Sequence, residues 1–190
     1  MIMLVDFIIP TFSRINELRS MLSSLVAQTD GDWQAHVIVD DTQNDAILSL
    51  AGSFRDNRIK VSFMDKRYND WGHTPREWGK NQSDAMYVIM TGDDNYYTPN
   101  FVSELRQAAE TIPGMIYWDM VHSHYKYAYF RCYPAYNQID MGAFATRTNL
   151  AKKVELGKEY AADGLYVENF KKKFPNEEII KIDKVLFVHN

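Results

Sequence analysis

The sequence holds one cysteine, Cys132, so it can form no intrachain disulfide. That suits a reducing compartment, and the expected location is cytoplasmic. No apolar run reaches the ~18 residues that a membrane-crossing helix needs, so no stable membrane insertion is expected. Basic residues are not in excess: Lys+Arg number 21 against 25 Asp+Glu, a formal net charge of −4. This balance argues against a nucleic acid polymer as partner. A small anionic ligand remains open, its charge met locally by a few Arg or Lys or by a metal. There is no repeat, low-complexity tract or Pro/Gly/Ser linker. The apolar run 1–10 is interrupted by Asp6 and lacks a basic stretch before it. It reads as a buried strand rather than a signal peptide.

What is present is ordinary globular material: 190 residues, 46% hydrophobic and 24% charged, enough for one domain with a sizeable core. The first half alternates strand and helix patterns. Residues 4–9 form a short apolar run ended by Pro10. Leu18, Met21, Leu22, Leu25 and Val26 fall at helix spacing, which predicts a helix over 14–28. Strands are predicted over 35–39, 59–64 and 86–90, with a short helix over 46–54. Thr74-Pro75-Arg76-Glu77 has capping-box spacing with Pro in first helical place, so a helix should begin there. Pro99 opens another, with Phe101, Leu105, Ala108 and Ile112 on one face. This order predicts an α/β fold with a mainly parallel central sheet flanked by helices. Beyond residue 115 the style changes. Residues 115–133 predict one or two antiparallel strands, 139–145 another, 147–156 and 163–174 helices, and 179–188 a closing strand. The C-terminal half thus adds a smaller antiparallel part.

Ligands of open parallel sheets bind beyond the carboxyl ends of the strands. Three polar clusters sit at such ends: Asp40-Asp41, Lys66-Arg67 and Asp93-Asp94-Asn95. Each alone reads as turn chemistry; three on one edge read better as a site. Two adjacent carboxylates closing a hydrophobic strand repel unless a cation neutralises them. Oxygen ligands suit Mg²⁺ or Mn²⁺, and Mg²⁺ commonly takes one or two carboxylates plus substrate phosphates.

These segments resemble the family 2 glycosyltransferases of GT-A (Rossmann-like) fold. Ile8-Ile9-Pro10-Thr11-Phe12-Ser13-Arg14 is similar to that family's first strand and loop. The stretch from Val37 through Asp40, Asp41 and Asp45 is similar to its V-D-D-G-S-x-D segment, with Thr42-Gln43 in place of Gly-Ser. Asp70 to Gly79 matches the spacing of its N-x-G-x-x-x-A-R-N-x-G stretch, where Gly72, Arg76 and Gly79 agree. Thr91-Gly92-Asp93-Asp94 sits where the family has D-x-D-D, and Ala162-Asp163 where it has E-D.

The resemblance implies one domain over 1–190, with a nucleotide-binding part about 1–114 and an acceptor-binding part about 115–190. It implies a metal-dependent inverting transferase with a UDP- or dTDP-sugar donor and a saccharide or other hydroxyl acceptor. Pro10, Thr11, Arg14, Asp40 or Asp41, Arg67, Arg76 and Asp93 would hold the donor. Asp94 would bind Mn²⁺ or Mg²⁺ directly, with Asp93 on the ribose or a metal-bound water, and Asp163 would be the catalytic base. His189 either completes the metal shell or is a frayed terminal residue. His122 and His124 alternate on a predicted strand and read as solvent-facing. A nucleotidyltransferase is one alternative, although residues 10–14 lack the glycines such enzymes use. A non-catalytic sugar- or protein-binding module on a decayed frame is another.

Overall fold

The computed structural model describes residues 2–159 and 161–190. Strand β1 (Val5–Thr11) is buried along its whole length, as expected of a parallel strand covered on both faces. It runs through Pro10 rather than stopping there. Pairing with its neighbour β4 (Tyr87–Met90) ends at Ile8↔Met90, so the missing Pro10 N–H costs that ladder nothing. On its other side β1 pairs in parallel with β2 (Trp33–Val39), which pairs in parallel with β3 (Ile59–Phe63).

The full sheet adds β5 (Tyr96–Tyr97), β6 (Met115–His122), β7 (Ala128–Phe130), β8 (Phe144–Arg147) and β9 (Ile179–His189). Its order is β3-β2-β1-β4-β8-β6-β9-β5, with β7 on β6. β8 runs antiparallel to both β4 and β6, while β9 runs parallel to β6. Because the chain winds from β1 to β2 and β3 on one side and returns to β4 on the other, the edge beyond β1 and β4 is a topological switch point, where open sheets leave a crevice.

Helices α1 (Ile15–Val26), α2 (Asp45–Ser53), α3 (His73–Gln82), α4 (Phe101–Ala108), α5 (Thr148–Ala151) and α6 (Ala162–Lys173) flank the sheet. Strand alternation sorts the two faces. Phe7 packs its ring 5.0 Å from Tyr97 and 5.8 Å from Phe101, on the α4 side. Ile8 faces α3, where Gly79 leaves its side chain room.

Several expectations are corrected. Helix α3 begins one residue before Thr74, after Gly72 at a left-handed φ of 81°. No capping box forms. The Thr74 hydroxyl donates to Asp70 (2.5 Å), and Glu77 accepts from Lys80 (2.7 Å) and from the Leu156 backbone (3.0 Å). Pro75 therefore lies in the first turn, where its absent N–H is not needed. Ile112 leaves the helix face: it takes a left-handed φ of 53° after a 3₁₀ turn and is exposed. The strand expected over 139–145 is replaced by a 3₁₀ turn, Met141–Ala143, and by β8. The Asp140 side chain accepts the Gly142 N–H (2.8 Å) and so caps that turn. The helix expected over 147–156 shrinks to the single turn of α5.

A Cβ on Gly79 would collide with Ile38 Cδ1 and lie 2.6 Å from Ile8 Cγ2. Gly79→Ala is therefore expected to push α3 off the sheet and cost about 1–3 kcal/mol of stability. Urea denaturation checks this, through a lower midpoint at unchanged slope.

Candidate functional site

The switch-point crevice opens into a cavity of about 1140 Å³. Its first wall comes from the ends of β1 and β4. Thr11 Oγ1 donates to Asp93 Oδ2 (2.7 Å). Arg14 forks across the acidic pair, Nη2 to Asp93 Oδ1 (2.5 Å) and Nη1 to Asp94 Oδ2 (2.6 Å). One guanidinium thus bridges the two carboxylates and offsets one of their two charges, while half of its own side chain, 52%, stays exposed. Burial raises the Asp93 carboxyl above its ordinary range, opposed by the Thr11 hydrogen bond and the Arg14 charge.

The base of the cavity is held by Arg76, whose Nε donates to the Thr91 carbonyl (2.9 Å) and Nη1 to the Trp71 carbonyl (2.8 Å). Arg76 lies in the first turn of α3, as expected, and ties the end of β4 to the loop before that helix. Burial lowers its pKa, opposed by the negative charges of Asp163, Asp140, Asp93 and Asp94.

Asp163 lies in the first turn of α6, inside the helix, so it is not the N-cap; that place belongs to Ala161. Its carboxyl is pushed up to about 6, first by burial and then by the charge of Asp140. Burial likewise raises the Asp140 carboxyl. His189, at the end of β9, stacks on His122 at 4.0 Å and places Nε2 3.6 Å from Asp140 Oδ2.

Of the expected site residues, Pro10, Thr11, Arg14, Asp40, Arg67, Arg76, Asp93, Asp94, Asp163 and His189 line this one cavity. Asp41 does not: its carboxylate turns back to the Thr42 N–H (2.7 Å). Asp40 spends both oxygens on the backbone N–H groups of Tyr68 and Asn69 (2.8 Å each), fixing the loop after β3. Arg67 lies over the Phe12 ring at 3.7 Å. Sequence reasoning missed Asp140. It read His122 and His124 as alternating on a strand and solvent-facing; His124 sits on the 3₁₀ turn after β6 and is exposed, His122 is half-buried, and both line the cavity. It also missed Trp71, which is 83% exposed at the rim. Four non-glycine residues on the lining, Asn69, Trp71, Asn137 and Ala161, hold left-handed φ values of 53°, 55°, 56° and 68°. Such outliers persist where surrounding structure over-determines them, and they cluster at functional sites.

The sequence profile of the family described as glycosyl transferase family 2 matches residues 6–153, most of the chain and all of the β1–β4 edge. The chain belongs to glycosyl transferase family 2. The assignment removes the nucleotidyltransferase alternative. Solved structures agree on the GT-A fold. S. aureus TarS 1–349 superposes with a TM-score of 0.80 at 15% identity, over 99% of this chain and 60% of that one. The same fragment in complex with UDP-GlcNAc gives 0.78 at 16% identity, over 98% and 58%. The mannosyltransferase PcManGT from Pyrobaculum calidifontis, in complex with GDP-Man and Mn²⁺, gives 0.74 at 14% identity, over 97% and 56%. This family 2 chain therefore spans about three-fifths of the length of these solved chains. No curated protein sequence matches it. Among the described residues no helix is long and apolar enough to cross a membrane.

The donor set fits a hard divalent cation. Asp93 and Asp94 already present oxygens to one positive group, and His189 lines the same cavity. Among the described residues no three His, Cys, Asp or Glu side chains converge tightly enough to hold a metal alone. That composition suits a cation completed by substrate phosphate oxygens. A cation held there would compete with the Arg14 guanidinium for the same two carboxylates. Arg14→Ala is therefore expected to raise the affinity for Mn²⁺ alone, by about tenfold for each 1.4 kcal/mol of lost competition. Titration calorimetry of the nucleotide-free chain checks this; weaker or unchanged Mn²⁺ binding would contradict it.

Proposed function

We propose that this chain is the catalytic domain of a metal-dependent, inverting glycosyltransferase. The observation that carries the reading is a half-buried carboxyl, Asp163, in the same cavity as the Thr11–Arg14–Asp93–Asp94 cluster, with the Arg76 charge acting on both. The donor is a nucleoside diphosphate sugar, with uracil or thymine as the proposed base. TarS has been solved with UDP and UDP-GlcNAc, and PcManGT with GDP-Man and Mn²⁺; they support the donor class by likeness. The nucleotide-binding part is proposed as residues 1–114 and the acceptor-binding part as 115–190.

The described lining carries six carboxylates, Asp40, Asp93, Asp94, Asp140, Glu159 and Asp163, against three guanidiniums, Arg14, Arg67 and Arg76. A diphosphate entering that field needs more positive charge than the chain supplies. Asp94, with Asp93 and His189 beside it, is proposed to hold Mn²⁺ or Mg²⁺, which would offset the charge that builds on the leaving diphosphate. Arg14, freed from Asp93 and Asp94, is long and exposed enough to turn toward a phosphate. Asp40 and Arg67, on the loops after β2 and β3, are proposed for the nucleoside end. Asp163 accepts the proton of the acceptor hydroxyl as it attacks the anomeric carbon from the face opposite the diphosphate. Inversion at that carbon follows from a single displacement. Burial suits Asp163 to the task, since a base works best with a pKa near the operating pH.

Asp163→Asn keeps shape and hydrogen bonding but cannot take a proton. Transfer should fall by about 10²–10⁴-fold, with nucleotide and Mn²⁺ affinities unchanged by calorimetry. Near wild-type turnover would sink the base assignment. A non-catalytic module on the same frame would show no turnover to lose.

The pH profile gives a second check. Asp163 must be ionised to act, and its carboxyl is pushed up to about 6, so the transfer rate should climb with pH through about 6 and then level. Asp140→Asn removes the neighbouring negative charge and should move that limb to lower pH. A limb unmoved by Asp140→Asn would mean that the two carboxyls do not interact.

A further inference from the structure

The cavity is sorted by charge. Its guanidiniums, Arg14, Arg67 and Arg76, stand on the wall built from the ends of β1 and β3 and the start of α3. From residue 115 onward, no described lining residue is Lys or Arg. The charged groups on that second wall are acidic: Asp140, Glu159 and Asp163. Its other polar groups include the imidazole of His122 and the carboxamide of Asn137.

The second wall also carries a flat aromatic surface. Tyr125 sits on the 3₁₀ turn after β6 and stacks one ring face on Phe130 of β7, centroids 5.6 Å apart at 20°. His122 meets it edge-on at 5.2 Å. Tyr125 is 57% exposed and lines the cavity, so much of its ring is open to a ligand. An aromatic face beside imidazole and carboxamide groups matches a sugar ring. The apolar C–H face of a pyranose lies against the ring, and its hydroxyls exchange hydrogen bonds with imidazole and carboxamide groups such as Asn137.

We infer that this wall is the acceptor site and that it takes an uncharged carbohydrate, one sugar ring resting on Tyr125. The inference rests on the glycosyl-transfer reading and narrows its acceptor. A phosphorylated, sulfated or uronic-acid acceptor would bring negative charge against Asp140, Glu159 and Asp163 with no cation on that wall to meet it, and like-charge juxtaposition excludes partners. Continuity with the donor half of the same cavity puts the acceptor hydroxyl within the space that Asp163 faces.

The test is a glycan array probed with the full chain in Mn²⁺ and UDP, carrying neutral hexose and N-acetylhexosamine oligosaccharides beside phosphorylated, sulfated and uronic-acid ones. Neutral glycans should be retained over charged ones. Tyr125→Ala should lower that retention by about tenfold, the scale of one aromatic stacking contact, and Tyr125→Phe should restore it. Tyr125 is an exposed turn residue, and circular dichroism of both variants guards against misfolding. Preference for anionic glycans, retention unchanged in Tyr125→Ala, or no glycan retained while UDP with Mn²⁺ still binds would each overturn the inference. Failure of every nucleoside diphosphate to bind in parallel calorimetry would instead overturn the transfer reading, and this inference with it.

Discussion

Arg76 donates from Nε to the Thr91 carbonyl and from Nη1 to the Trp71 carbonyl, so one side chain joins the end of β4 to the loop that opens α3. It does so inside a field set by Asp93, Asp94, Asp140 and Asp163. Carboxylates gathered at one sheet edge repel, and burial makes each costlier to ionise. A guanidinium fixed by backbone carbonyls cannot swing away to solvent, so its charge is a permanent part of the cavity. Arg14 plays the opposite part. It reaches Asp93 and Asp94 from an exposed position, and nothing in its own backbone ties the guanidinium in place. One fixed and one movable cation divide the work of holding the acidic cluster together.

The backbone around Arg76 obeys the same constraint. Gly72 takes a left-handed φ and lies so close to Pro10 that a Cβ would come within 2.8 Å of its ring. That contact sets the first turn of α3 over the end of β1. Gly79, two turns along, lets the helix sit directly on Ile8 and Ile38. The helix that aims Arg76 is thus seated by glycines near both ends against β1 and β2. The site's geometry follows from close packing of helix on sheet as much as from its polar residues.

This explains what the sequence made legible. Parallel strands buried on both faces carry short apolar runs, 7–9 in β1, 37–39 in β2 and 87–90 in β4, so they stand out, and α1 is visible in the spacing of Leu18, Met21, Leu22 and Leu25. Asp40, Asp93 and Arg76 were legible because strand ends and helix starts are local features, whereas Thr11 and Asp163 came only with the family resemblance. The rest depends on pairing between distant segments. β9 joins β6 in parallel across some sixty residues, from Met115↔Ile179 to His122↔His189, and only that register brings His189 onto His122. Nothing local to Asp140 marks it: in sequence it is one Asp before a Met-Gly turn. Only the fold sets it beside Asp163 and His189. Asp40 and Asp41 could not be separated either, because which of two adjacent side chains enters the crevice depends on how the loop after β3 claims Asp40.

The charge count finally constrains the order of events. With six carboxylates against three guanidiniums on the described lining, a bare diphosphate meets net repulsion. A bare divalent cation meets Arg14 already seated on Asp93 and Asp94. Neither ligand is well received alone. On the proposed reading the two would remove each other's penalty: the cation would take over the carboxylates, the diphosphate would offset the cation, and Arg14 would be released toward the phosphates. Their binding would then be coupled through one side chain, and by linkage each would raise the affinity of the other by the same factor. A cavity assembled in this way would admit the donor as a charge-balanced unit, and until then Arg14 keeps Asp93 and Asp94 paired.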